Sequence, residues 1–284
     1  MRAILLASFV VVFGLVSPVH ASTLTEAEVA YNLRDFSEVG LKSAQTAASI
    51  YGELAQSADN QESKNNFLIG QSMSYYFVGT AVSKKDDKIK YHLKGYEAAD
   101  MVVKSYGISD VEKVSDEKLD ELAELPEQKL NQLGEALYYR GINLGQWGNA
   151  NGVLDSLSRW PELRDNMFLL VNLGLEGIHE FGAYRVLGRG YFKIPGILGG
   201  SMKKATKYLT DAVKGSVAEG QFFSTNGTNN IYYAELLKET GETKTAIAYL
   251  AKFISADVNQ LHPDLVPENK NAQKEAQELI KSWK

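Results

Sequence analysis

Arg185 and Arg189, four residues apart in Tyr184-Arg-Val-Leu187-Gly188-Arg, would share one face of a helix. Two guanidinium groups so placed could grip a carboxylate on a ligand or partner, although a solvated surface pair is the plainer reading of the same spacing. His179 reads either as a polar residue in a ligand cleft or as a satisfied core histidine. His179-Glu180 begins like a zinc-protease helix, but Ala183 occupies the position where His-Glu-x-x-His needs its second histidine. His92 and His262 show no paired spacing and the chain has no cysteine, so neither a metal site nor a thiolate nucleophile is expected. Pro195-Gly196-Ile-Leu-Gly199-Gly200-Ser201 is glycine-rich enough to suggest an anion loop. It lacks the Gly-Lys-Ser/Thr ending of a nucleotide-binding loop, and it reads as a turn with Ser201 as helix N-cap. Trp147, in the Gly-rich stretch Gly145–Gly152, is either an exposed interface anchor or a buried packing residue. No catalytic residue, cofactor or metal is assigned, and an enzyme is not expected.

These groups need elements to hold them, and the same stretch supplies the pattern. Tyr184, Leu187, Gly188 and Tyr191, followed by Ala205 and Leu209, reproduce the W-x₂-L-G-x₂-Y…A-x₃-F signature of a tetratricopeptide repeat. Tyr184, Leu187 and Tyr191 would anchor one helix, while Gly188 and Ala205 admit its partner at close range. A cleaner repeat follows, with Tyr233, Ala234 and Leu237 in one helix and Ala246, Leu250 and Phe253 in the next. Leu237 to Ala246 spans nine positions and Tyr191 to Ala205 fourteen, so the earlier repeat carries five extra residues between its helices. The fold class predicted is all-α, built of stacked helical hairpins in one domain from residue 22 to 284.

Elsewhere Thr25 and Glu28 suggest a capping box opening a helix of about 30 residues kinked near Gly40. Helices follow from about Glu62 and around Leu93 to Tyr106, with the lysine-rich run Lys84–Lys90 as a solvated helix start. Residues 107 to 124 are charged and weakly patterned, which predicts a mobile excursion. Pro126 starts another helix, the Gly145–Gly152 segment a turn, and Trp160-Pro161 a further helix start after a short helix at Leu154 and Leu157. Gly182 and Gly190 weaken the helical reading around them. Asn226-Gly-Thr228 reads as a turn entering a helix, and Pro267-Glu268 starts a closing helix with Ala272, Ala276, Leu279 and Ile280 on its apolar face.

Arg2, the apolar run Ala3–Val16 and the small-residue site Val19-His-Ala21 predict a secretory signal peptide over residues 1–21, cleaved before Ser22. A run that short does not span a membrane. Arg2 is the one charged residue before Ser22, so cleavage would take the net charge from −5 to −6. That acidity argues against nucleic acid as a partner. Export without cysteine leaves no site for a lipid-anchored cysteine or a disulfide.

Residues 184 to 213 with their Ile-Pro-Gly-Ile-Leu-Gly-Gly insertion, Ala136–Gly152, and Pro263-Asp-Leu-Val-Pro267-Glu together resemble the T component of tripartite ATP-independent periplasmic (TRAP) transporters, the TatT-like proteins. The resemblance covers roughly the second half of the chain. It implies an all-helical repeat protein of the periplasm that associates, often as a homotrimer, with the substrate-binding component of the transporter. It also implies a role in handling small organic-acid or hydrophobic ligands. Members are commonly lipoproteins, and the absence of cysteine departs from that pattern. The repeat pattern without the resemblance implies only a periplasmic scaffold for proteins or peptides.

Overall fold

Close helix crossings at small residues generate the architecture. Gly188 and Ala205 face each other's helices as the repeat pattern requires: a side-chain carbon on Gly188 would lie 2.7 Å from Leu209 Cγ and 3.0 Å from its backbone nitrogen. Leu187, Ala205 and Leu209 are buried beside it. In the following hairpin Ala234, Ala246, Leu250 and Phe253 are buried in the same way.

The computed structural model describes residues 23–217 and 219–284; the signal-peptide reading and the Ser22 start lie outside the described residues. The first four helices are α1 (Leu24–Asn32), α2 (Glu38–Gln56), α3 (Gln61–Ala81) and α4 (Lys85–Ser105). A middle group follows: α5 (Asp116–Ala123), α6 (Glu127–Asn151), α7 (Val153–Ser158) and α8 (Trp160–Asn172). The remainder are α9 (Ile178–Lys193), α10 (Met202–Gly215), α11 (Gly227–Glu239), α12 (Thr243–Ser255), α13 (Val258–Leu261) and α14 (Val266–Trp283). Among the described residues there is no strand beyond an isolated bridge between Val217 and Ser224. Long helices pack largely on their sequence neighbours, α6 also reaching α3, α4 and α9, and α14 lying on α11 and α12. The protein is an all-α stack of tetratricopeptide-like hairpins.

Three expectations are corrected. The capping box is Thr23 with Glu26: Thr23 Oγ1 accepts from Glu26 N at 3.2 Å and Thr23 N donates to Glu26 Oε2 at 2.7 Å. The helix it opens ends at Asn32, and α2 begins afresh because Ser37 caps it, accepting from Gly40 N at 3.1 Å. Residues 107 to 124 are anchored: Ile108, Val111 and Leu122 are buried in the main core, with α5 and a short 3₁₀ turn between them. These three buried side chains outweigh the charged composition. The Gly145–Gly152 segment is helical as far as Asn151, because packing overrides propensity: a carbon on Gly148 would meet Ser156 Cα at 3.0 Å. Only Gly152, at φ 132°, breaks the helix.

Other expectations agree with the structure. Ser201 caps α10, its Oγ accepting from Lys204 N at 3.3 Å. Asn226 caps α11. The closing helix buries Ala272 and Ala276.

Candidate functional site

The helices enclose a cavity of about 720 Å³ reached by residues from the first hairpin to the last helix. That is the size of a pocket for a small organic molecule. Its aromatic lining comes from distant parts of the chain: Tyr31, Phe36 and Phe77 near one end, Tyr138 and Tyr139 in the middle, Trp160 and Tyr232 beyond. Trp160 can approach because α9 carries Gly190 there; a side-chain carbon at that position would lie 2.0 Å from the indole.

One tie closes the assembly. Arg34, buried in the loop after α1, reaches Glu268 in the first turn of α14, with Nε 2.9 Å from Oε1 and Nη2 3.3 Å from Oε2. The same guanidinium donates to the Asp264 carbonyl and lies 4.1 Å from the centroid of the Tyr31 ring.

At the start of α9 the backbone does something unusual. His179, Glu180 and Phe181 have φ of 51°, 53° and 59°, a full left-handed turn made without glycine. Such residues are sterically penalised and persist where their surroundings hold them. Arg185 Nη1 donates to His179 O at 3.2 Å, and Asn229 Nδ2 donates to Glu180 O at 2.9 Å. The turn points His179 Nε2 at Glu135 Oε2, 2.7 Å away, stacks the imidazole on Tyr138 with centroids 4.3 Å apart, and brings Glu180 Oε1 within 2.9 Å of His262 Nε2.

The two arginines part company. Arg185 is buried, donating also to Asn229 Oδ1 at 2.9 Å and to the Tyr138 hydroxyl. Burial works against its charge, yet the coulombic pull of Tyr138, Tyr76 and Glu180 outweighs that and holds it above the ordinary arginine pKa. It is a structural cation with its bonds made. Arg189 is half-buried, paired with Glu235 and lying 4.1 Å from the centroid of Tyr232. Lys193 Nζ sits 3.6 Å from the other oxygen of the same Glu235. Arg189, Lys193 and Glu275 all line the cavity. Burial, and then the neighbouring Glu235 carboxylate, raises the Glu275 carboxyl above the usual range. Arg189 and Lys193 thus both pair with Glu235, and the Glu275 carboxyl lines the cavity with them.

Of the residues singled out in the sequence, the cavity collects His179, Arg185, Arg189 and Pro195. Tyr184 lies outside it, between Phe181 and Tyr208 at centroid distances of 6.0 and 5.7 Å. Trp147 on α6 is not a lining residue and sits under the Arg159 guanidinium, 5.5 Å from the ring centroid. Gly196, Gly199 and Gly200 shape the loop beyond Pro195 and do not reach the cavity. Tyr138, Trp160, Lys193 and Tyr232 are lining residues that the repeat pattern did not signal. Trp160-Pro161 was legible as a helix start, and Tyr232 as a neighbour of a repeat anchor. Among the described residues no group of three potential ligands could hold a metal ion, and no helix is long and apolar enough to cross a membrane.

Fold and cavity together define a class: a helical-hairpin repeat protein with an internal, ligand-sized chamber. No protein-family model matches the chain, and no curated protein matches it.

Proposed function

We propose that the protein binds an amphipathic organic acid in its central cavity and works, without chemistry of its own, as a periplasmic accessory component of a TRAP-type transport system. The observation that carries the reading is the junction of an aromatic chamber with Arg189 and Lys193, two cations held at the cavity wall by Glu235. A ligand carboxylate there would accept from these two cations, with its apolar body against Trp160, Ile194 and Leu157. The resemblance of the second half of the chain to TatT-like proteins supplies the transport context, the substrate-binding component as partner and a homotrimer as assembly state. An open scaffold for peptides is less well supported, since such proteins use a continuous concave face and here Arg34 and Glu268 tie the first loop to the last helix.

Native mass spectrometry of the exported protein, followed by calorimetric titration with organic acids of increasing chain length, tests the reading. Retained or added acid should bind, and Arg189→Ala with Lys193→Ala should weaken it by about 1.5–3 kcal/mol for each charged hydrogen bond lost. Unchanged affinity in the double variant, or no acid binding at all, would refute it. Amino-terminal sequencing of the periplasmic fraction and affinity capture with the transporter's substrate-binding component test the location and the partner.

A further inference from the structure

The five-residue insertion between α9 and α10 is a fixed apolar tip. Leu198 N and Gly200 N both donate to Pro195 O, at 2.9 and 3.1 Å; Gly199 N donates to Gly196 O at 3.1 Å and Ser201 N to Tyr191 O at 3.0 Å. Gly199, at φ 97°, supplies the left-handed residue that closes the turn. The result presents Ile197 with 95% of its surface in water, flanked by Leu198 at 51% and Met202 at 43%. A second wall of the cavity does the same: α7 leaves Val153 and Leu154 75% and 84% exposed. Val153 and Pro195 both line the cavity, so each aliphatic tip adjoins its wall. Aliphatic side chains held outward next to a binding chamber mark a surface built to be covered.

The composition of the tips selects the cover. Protein interfaces concentrate Tyr, Trp and Arg at their centres and are poor in Lys. The Ile197 tip offers aliphatic side chains followed directly by Lys203 and Lys204, with no acidic residue between Ile194 and Lys204. Asp155 is the single carboxylate of α7 and is followed by Arg159. Lys203 and Lys204 also occupy the first turn of α10, where the helix dipole disfavours cations, and no acid sits there to offset them. Aliphatic tips with a lysine collar suit the boundary between lipid headgroups and acyl chains, with the cations among phosphates.

We propose that the Ile197 tip and the α7 edge dock the protein on an anionic lipid surface, setting the adjoining cavity wall at headgroup level. In a chain of net charge −5 such docking must be local and oriented, because the remainder of the surface is repelled. The surface stands independently of what the cavity holds, and the test needs no cavity ligand.

Flotation of the exported protein with vesicles of phosphatidylglycerol and phosphatidylcholine should show binding that weakens with salt. Ile197→Asp combined with Leu198→Asp should lower the partition by about tenfold or more, and Lys203→Glu with Lys204→Glu by about fivefold per lysine on anionic vesicles only. As the chain has no cysteine, Ile197→Cys gives a unique thiol for an environment-sensitive fluorophore, whose emission should shift to the blue on anionic vesicles whatever the aspartates do to folding. Absence of vesicle binding, or wild-type partition in the aspartate variant with no fluorophore shift, overturns the proposal. So does an aspartate variant that partitions normally but loses self-association or capture by the substrate-binding component, since the tip would then be a protein interface.

Discussion

Arg34 and Glu268, 234 positions apart, form a bidentate pair that fastens the first inter-helix loop to the start of the last helix. In an open repeat array each unit contacts only its neighbours and stability is a sum of local terms. This pair adds a term between the two ends.

The pair should therefore be felt at both ends. Arg34→Met keeps much of the packing against Tyr31 and Phe77 while leaving Glu268 unpaired. A loss of about 2–3 kcal/mol is expected, tempered by the partial exposure of the carboxylate. Hydrogen exchange should rise in α1 and α14 together. Faster exchange in α1 alone would mean that the ends are not coupled.

Arg185 and Arg189 should separate cleanly under mutation. Arg185→Ala strands the Tyr138 hydroxyl, Asn229 Oδ1 and His179 O at once, and should cost about 3–5 kcal/mol of stability. Arg189→Ala, half-exposed and near the cavity, should cost about 1 kcal/mol or less while weakening acid binding. Chemical denaturation of both variants decides it; equal losses of stability would contradict the division of labour.

Gly188→Leu should destabilise by about 1–3 kcal/mol, because the new side chain runs into Leu209 and its backbone nitrogen. Gly177→Ala is the matched control, since nothing lies within 4 Å of the added carbon. Thermal midpoints should fall for the first and hold for the second. An unshifted Gly188→Leu midpoint would mean that the α9–α10 crossing can relax.

His92 predicts a pH dependence. Burial, opposed by its contact with Asn143 Oδ1 at 3.1 Å, lowers its pKa from 6.5 to about 4. Between those values the unfolded chain takes up a proton that the native state refuses. Its contribution is thus complete above pH 6.5, falls as the pH drops and levels off below about 4, amounting to roughly 3 kcal/mol. Urea unfolding across that window should show a shallower slope for His92→Gln than for the wild type. Identical slopes would remove His92 as the cause.

The repeat hairpins were legible because their signal is local. Leu187, Gly188, Tyr191, Ala205 and Leu209 carry a pattern spaced along helices, and each is where that pattern puts it. What the sequence hid is non-local. Arg140 is buried between Asp100, 40 positions earlier, and Glu162, 22 later, and no spacing rule connects the three. The residues at 107 to 124 looked mobile because charge dominates their composition, while three buried apolar side chains determine their behaviour. The cavity was half legible. Arg185 and Arg189 were found by their helical spacing, but which one is buried and which half-exposed depends on Tyr138, Asn229 and Glu235, all more than 40 positions away.

The left-handed turn at His179–Phe181 has a consequence for the order in which the molecule assembles. Three L-residues in that conformation cost about 3–6 kcal/mol together, and much of what holds them lies later in the chain: Asn229 in α11 and His262 after α13. A nascent chain that has not yet docked α11 lacks those partners, so residues 178 to 193 should first run as an ordinary right-handed helix. The final hairpins then act as a template that inverts one turn and swings His179 and Glu180 into the cavity wall. The chamber would be the last part of the protein to take its shape, with φ-values near zero at 179 to 181 as the kinetic signature.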